Sequence, residues 1–324
     1  VSDYIIDNIT YKVDMAEIQT AWENRLEPVF PCNIKTESKP AKIYTYTADG
    51  IVKPASKFAK PKVLIPVFPG TNCEYDTARV FERAGADPEV VVIKNLSQSA
   101  LEDSISYFTK AVEKSQIIMI PGGFSGGDEP EGSGKFITAF FRNPRIKDAV
   151  TDLLDNRDGL MLGICNGFQA LIKLGLVPFG KIVDMKDDSP TLTFNTIGRH
   201  QSMMVSTRIS SVKSPWLAGC SVGDIHKIAI SHGEGRFVAS PELIKKLAEN
   251  GQIATQYVDL NGQPSMDIRF NPNTSVDAIE GITSPDGRVL GKMGHSERIG
   301  TDICRNVPGN KDQKIFESGV AYFK

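Results

Sequence analysis

The sequence predicts an α/β protein: a doubly wound, mostly parallel sheet with helices on both faces, preceded by an irregular N-terminal tail. Two patterns carry that prediction. From Lys62 onward, short and purely apolar runs alternate with amphipathic ones, as strands buried on both faces by helices require. Glycines then recur where apolar runs end, at Pro69-Gly70, Pro121-Gly122-Gly123 and Gly163 to Gly167, which marks loops leaving strands.

Taken in order, residues 63–68 read as a strand and 76–84 as a helix stopped by Gly85. Residues 89–93 are a strand, 101–112 a helix and 116–120 a strand. A glycine-rich loop follows, then helices to about residue 154. Residues 158–163 form a buried strand that feeds Cys165. Phe168, Leu171, Ile172 and Leu174 recur at helical spacing after it, and Gly175 supplies the stop. Beyond Gly175 the chain turns β-rich and less regular, at 203–207, 227–230 and 253–258, and closes with a strand at 289–293. Right-handed crossovers place the loops beginning at Pro69, Pro121 and Cys165 along one sheet edge, where doubly wound folds put their sites.

Residues 1–60 do not read as a self-sufficient domain. Residues 14–26 give one amphipathic helix, with Met15, Ile18, Ala21, Trp22 and Leu26 on its apolar face and Pro28 and Pro31 ending it. Residues 35–60 are rich in Lys, Pro, Ser and Ala and read mostly as linker, with one strand-like run at 43–46. The expected division is therefore 1–60, tail and linker, and 61–324, the functional domain.

Composition narrows the classes. A net charge of -2, with no Lys/Arg run longer than two, argues against an electrostatic nucleic-acid or membrane-surface partner. No apolar stretch is long enough to span a bilayer. Five scattered cysteines without a C-x-x-C argue against a disulfide framework or a zinc knuckle and for a reducing cytoplasm. The start, Val1-Ser2-Asp3-Tyr4, has neither an initiator Met nor a signal-peptide pattern, so the chain reads as a piece of something larger.

The chemistry centres on Gly163-Ile-Cys-Asn-Gly-Phe-Gln169. Here a cysteine is displayed on a tight strand-to-helix turn, with a glycine two residues away on each side where a Cβ would clash. Its sulfur sits at a helix N-terminus, whose partial positive charge favours a thiolate. The bland reading is a buried packing cysteine. Nucleophilic use needs a base and a group to hold that base. Of four histidines, His295 lies just beyond the terminal strand in Gly294-His-Ser-Glu-Arg298. In an extended segment Glu297, two residues on, would project from the same side and take one ring nitrogen while the other faces the thiol. The bland reading here is an exposed turn.

The loop Pro121-Gly-Gly-Phe-Ser-Gly-Gly-Asp128 is not a phosphate cradle: Gly134-Lys135 is followed by Phe136 and lacks the required spacing. It reads either as a flexible loop or as a backbone approach to a developing oxyanion, with Gly123 and Asn166 as the two N–H donors. Ser231-His-Gly-Glu-Gly-Arg236 reads as a hairpin turn, and support for a metal there is thin. His200 and His226 read as structural or solvated, and Cys32, Cys73, Cys220 and Cys304 as packing.

These motifs, together with Phe68-Pro-Gly-Thr-Asn-Cys-Glu-Tyr-Asp76, occur in an order that resembles the glutaminase domain of phosphoribosylformylglycinamidine synthases, in their large single-chain form. The resemblance runs from about residue 62 to the C-terminus. It implies a class I glutamine amidotransferase (flavodoxin-like) fold that hydrolyses glutamine and hands the ammonia to an ATP-dependent step of purine synthesis. It further implies Cys165 as nucleophile, His295 as proton shuttle, Glu297 as its orienting carboxylate, and Gly123 and Asn166 as the oxyanion hole. Gln169, Gly122 and Phe124 then map onto substrate-contacting positions, and His232 and Asn72 are site-adjacent. No metal and no cofactor are implied in this chain; ATP and Mg2+ are expected in a synthetase region, whose tail residues 1–60 resemble. Many relatives have Tyr after the Phe-Ser pair and a Leu-Arg segment beyond the Asp, where Gly126 and Glu129 to Lys135 stand here. Two other readings stand beside it. One is a related cysteine hydrolase or chaperone-like branch, in which His often follows the nucleophile. The other is a non-catalytic module of the same fold, and an ammonia acceptor of another kind is a milder variant.

Overall fold

Glycine placement and apolar patterning build the larger part of the chain around one central sheet. The structure, a computed structural model, describes residues 2–32, 34, 40–48, 50–124 and 134–324. Residues 125–133, with Gly126 and most of the divergent segment after it, lie outside the described residues. Residues 1–37 and 38–324 form two compact units.

In the smaller unit the tail is not irregular. An antiparallel hairpin of β1 (Ser2–Ile6) and β2 (Ile9–Val13) turns at Asp7 and Asn8, both at positive φ. Asn and Asp tolerate that conformation, so a two-residue turn signal was present in the sequence. Helix α1 (Met15–Glu23) follows, its first turn capped by Asp14 accepting from the Ala16 N–H at 2.8 Å. It ends at Glu23, short of the expected Leu26.

In the larger unit the elements run β3 (Lys62–Val67), α2 (Glu74–Ala84), β4 (Asp87–Val92), α3 (Gln98–Lys114), β5 (Ile117–Ile120), α4 (Lys135–Phe141), α5 (Pro144–Asp155), β6 (Leu160–Ile164), α6 (Asn166–Leu174) and α7 (Leu176–Phe179). Then come β7 (Thr191–Phe194), β8 (Gln201–Ile209), β9 (Ile225–His232), β10 (Glu234–Val238), α8 (Pro241–Glu249), β11 (Ile253–Val258), β12 (Ile279–Thr283), β13 (Val289–Lys292) and α9 (Ile315–Ala321). Among the described residues, nine strands form one sheet in the order β4-β3-β5-β6-β13-β12-β11-β8-β9. The first five are mutually parallel and the remaining pairings are antiparallel. The parallel half carries the apolar runs read from the sequence. Strand β12 escaped that reading because Glu280 and Gly281 interrupt a segment that is nevertheless wholly buried.

Residues 40–60, expected as linker, are tied to the larger unit by side chains that no local pattern announces. Gln256 Oε1 accepts the Tyr44 N–H, Tyr46 bridges to Ser211, and the Phe58 ring meets Phe323 edge-on. The run 43–46 is not a strand; only Tyr46 makes a ladder contact. The observed break near residue 37 therefore lies earlier in the chain than the sequence division at 60. Nor is 231–236 a hairpin: β9 pairs with β8 while β10 pairs with β7, so the chain changes sheets at Gly233.

What positions the site is the junction of β6 and β13. They lie side by side in parallel, Gly291 opposite Gly163 and Lys292 opposite Ile164, so the segments leaving both strands emerge at one edge. The loops after β3 and β5 meet at the same edge, through a bridge between Thr71 and Gly123.

Candidate active site

Cys165 occupies the single residue between β6 and α6. Its backbone sits at φ 53° and ψ −106°, strained for a residue with a Cβ. The flanking glycines explain how the turn closes. A Cβ on Gly167 would lie 2.0 Å from the Ile120 carbonyl oxygen, and one on Gly163 would lie 2.6 Å from Leu171 Cδ1 and 2.7 Å from the Gly167 backbone. The helix start is thus pressed against the ends of β5 and β6, holding the nearly buried thiol at the first turn of α6. The Cys165 N–H donates to the Lys292 carbonyl at 2.9 Å, and its sulfur lies 3.6 Å from the Ser231 carbonyl.

His295 is fixed at its peptide, whose N–H donates to Ala229 O at 2.8 Å, and at its ring, where Nδ1 meets Glu297 Oε1 at 2.6 Å. The pair forms across a turn, with Arg298 N–H bonded to His295 O, and not along the extended segment the spacing suggested. Both side chains are buried. Burial works against charge on the imidazole. Even so, Glu297 first, then the Cys165 and Cys73 sulfurs, hold it well above the ordinary histidine range. For Glu297, burial pushes up while His295 and then Arg298 prevail and hold the carboxyl below its usual value. A buried imidazolium–carboxylate pair is the result. The other ring nitrogen, Nε2, is buried without a hydrogen-bond partner among the described residues.

Gly122 is the floor between them. A Cβ placed there would lie 2.8 Å from His295 Cε1, 3.2 Å from Cys73 Sγ and 3.5 Å from Cys165 Cβ. The Gly122 carbonyl takes the N–H groups of Asn72 and Cys73, each at 3.3 Å, and Phe124 N–H donates to Gly70 O at 2.8 Å. The bonds of the Thr71–Gly123 bridge therefore come from the neighbours of Gly123, whose own N–H points away from that strand pair. Asn72 Oδ1 lies 3.1 Å from the Cys73 sulfur, and the Phe124 ring sits 5.9 Å from the His200 ring. Gln169 is buried with its amide engaged at both ends: Nε2 donates to Glu234 O at 2.5 Å, and Oε1 accepts from Asn166 Nδ2 at 2.9 Å. It braces the 231–235 segment to α6.

His232 is buried beside this brace, its Nδ1 3.3 Å from Asn195 Oδ1. Burial, with lesser contributions from His295 and His200, pushes its pKa down to about 3, so it is neutral. His200 is exposed, 3.0 Å from the Ser231 hydroxyl, and His226 is buried.

Cys73 is the residue whose placement differs most in consequence. It is buried, but it lines the site rather than only filling the core: its sulfur lies 3.9 Å from His295 Nδ1 and accepts from Arg298 Nη2 at 3.4 Å. The Asn-Cys-Glu motif gave no base nearby in sequence because its neighbours come from the chain's far end. Among the described residues, Cys73, His295 and Glu297 are the one grouping with metal-ligand spacing, all within 4.8 Å. Two of the three already share the short hydrogen bond, which reads as proton management. Of the other cysteines, Cys32 is exposed, and Cys220 and Cys304 are half-buried.

A family model described as the CobB/CobQ-like glutamine amidotransferase domain matches residues 60–323. The chain is 35% identical over 239 residues (74% of this chain, 82% of the relative) to phosphoribosylformylglycinamidine synthase subunit PurQ of Methanococcus maripaludis. It is 31% identical over 248 residues (76% and 95%) to that subunit of Aquifex aeolicus, and 36% over 255 residues (74% and 88%) to that of Treponema denticola. Among solved structures, "Structure of PurLQS from Thermotoga maritima" superposes with a TM-score of 0.58 at 25% identity, over 82% of this chain and all of that one.

Proposed function

The chain belongs to the family of CobB/CobQ-like glutamine amidotransferase domains, and from that premise we propose that it hydrolyses glutamine to supply ammonia for the ATP-dependent conversion of phosphoribosylformylglycinamide to phosphoribosylformylglycinamidine. The observation that carries this reading at the level of residues is the convergence over Gly122 of a strained cysteine and a buried His–Glu pair.

In this reading the Cys165 sulfur attacks the side-chain carboxamide carbon of glutamine. The oxygen that gains charge is received by the N–H groups of Gly123 and Asn166. His295, protonated through its partnership with Glu297, gives its Nε2 proton to the departing nitrogen as the C–N bond breaks, and ammonia leaves a γ-glutamyl thioester. His295, now neutral, takes a proton from water as it attacks the thioester, which releases glutamate and frees the Cys165 sulfur with His295 protonated again. Gly122 and Phe124 border the glutamine. Gln169 keeps the opposite wall in place through Glu234, and Asn72 and His232 stand behind these walls.

The acceptor chemistry is assigned to a synthetase partner, which would hold ATP and Mg2+; nothing in the proposed cycle of this chain calls for a cofactor. The relatives compared above are named as subunits of phosphoribosylformylglycinamidine synthase. The finer reading, in which residues 1–60 are the tail of a synthetase region of a single large chain, rests on the N-terminal residues alone. No helix among the described residues is long and apolar enough to cross a membrane. A cytoplasmic site of action is our reading from cysteine usage.

Glutamate release from glutamine, measured for this chain with and without a synthetase partner, tests the proposal. We expect slow hydrolysis alone, acceleration on adding the partner, and loss of both in Cys165→Ala, because such sites are completed by closure against a partner domain. Turnover that survives Cys165→Ala would refute the assignment, and equal rates with and without partner would refute the closure.

A further inference from the structure

Beneath the segment that carries His295 lies an ion pair with no part in the chemistry above. Lys292 Nζ and Glu280 Oε1 are 3.2 Å apart, and both side chains are essentially without solvent. Burying two charges costs several kcal/mol per ion before their attraction offsets it, and apolar replacements of such pairs are often neutral or stabilising. A pair of this kind is therefore weak as a stability device, so its geometry matters more.

That geometry closes on one peptide unit at each side of Gly294, the residue before His295. Glu280 Oε1 accepts the Gly294 N–H at 2.6 Å, and Lys292 Nζ donates to the Gly294 carbonyl at 2.8 Å. Thr255 Oγ1 donates to the second carboxylate oxygen of Glu280 from the next strand. Gly294 has no room to move sideways: a Cβ there would lie 2.7 Å from Ile228 Cγ2 and 3.0 Å from both charged heads. Lys292 also faces the nucleophile, because its main-chain carbonyl accepts the Cys165 N–H. One residue thus holds the cysteine turn with its backbone and the histidine segment with its side chain.

We infer that Lys292 and Glu280 are positioning residues that set the His295 ring against Cys165 by fixing the Gly294 peptide. The inference rests on the reading of Cys165 and His295 as the reacting pair. Neither residue touches substrate. Their effect reaches the chemistry through the angle at which the chain leaves β13.

The test is inactivation of the full chain by 6-diazo-5-oxo-L-norleucine, an electrophilic glutamine analogue, with the maximal rate and the half-saturating concentration measured separately and the modified residue mapped by mass spectrometry. Lys292→Met with Glu280→Met removes both charges while filling the space; Glu280→Gln is the milder variant. We expect the double variant to melt within a few degrees of the wild type. Its maximal inactivation rate should fall on the order of 10- to 100-fold, since misplacement of about 1 Å costs that much, with half-saturation changed less than about twofold. Glu280→Gln, which keeps an acceptor for the Gly294 N–H, should lose less. A purely structural role would move melting and leave the rate of the folded protein alone. If the double variant fails to fold, the same split measured on Glu280→Gln decides. An inactivation rate within twofold of wild type in a folded variant, with the label still on Cys165, overturns this inference and leaves the proposed function standing. A wild-type chain that takes no label on Cys165 overturns the proposed function itself, and this inference with it.

Discussion

Replacing Gly167 with alanine adds one methyl group where the structure has no space for it. The new carbon would lie 2.0 Å from the Ile120 carbonyl oxygen, and contacts below 3.0 Å do not persist, so the first turn of α6 must withdraw from β5 by at least about 1 Å. Backbone on both sides leaves no flexible side chain to absorb the change. Overpacking of this kind costs about 1–3 kcal/mol. In a domain of this size each kcal/mol lowers the melting temperature by about 2–4 °C, so a fall of several degrees is expected. The larger effect should be kinetic: Cys165 travels with that turn, and a displacement of about 1 Å at a reacting group costs on the order of 100-fold in rate. Thermal melting and the rate of Cys165 modification by 6-diazo-5-oxo-L-norleucine measure the two effects. Gly50→Ala is the control, since a Cβ there meets nothing within 4 Å. A Gly167→Ala protein that melts within 1 °C of wild type and is labelled within twofold of its rate would refute the account of the turn.

Two further outcomes follow from the electrostatics. Glu297→Gln removes the largest influence that raises the His295 pKa, so the alkaline limb of the labelling rate should move to lower pH. In the wild type the stabilisation from this raised group is complete below the ordinary histidine value near 6.5, and is lost as pH rises through the folded value. Melting temperature against pH should accordingly fall less steeply on the alkaline side in Glu297→Gln; an unchanged alkaline limb contradicts the pairing. His232 has the opposite sign: its pKa is pushed down to about 3, so the unfolded chain binds the extra proton between about pH 6.5 and 3 and stability falls on acidification, by up to about 1.4 kcal/mol per pH unit. His232→Gln should flatten acid unfolding over that window, and an identical acid slope in the two proteins would show that His232 is not held neutral.

The parallel half of the sheet was legible because its strands are buried on both faces and read as unbroken apolar runs. Cys165 was legible for a related reason: the glycines at 163 and 167 are close-approach residues, and close approach leaves a local mark. Glu297 was legible from its offset to His295, although the pair forms on a turn. What escaped was set by partners distant in sequence. Cys73 meets His295 and Arg298 across more than two hundred residues. Glu280 and Lys292 look like ordinary surface charges in sequence, and only the pairing of β12 with β13 buries them together. Tyr44 and Phe58 bind the supposed linker to the larger unit through equally remote neighbours.

Stoichiometric labelling by 6-diazo-5-oxo-L-norleucine, mapped by mass spectrometry, addresses the central assignment most directly. One equivalent should attach to Cys165, compete with glutamine, and vanish in Cys165→Ala while persisting in Cys73→Ala. Label found on Cys73, or no label on a folded chain, would contradict it.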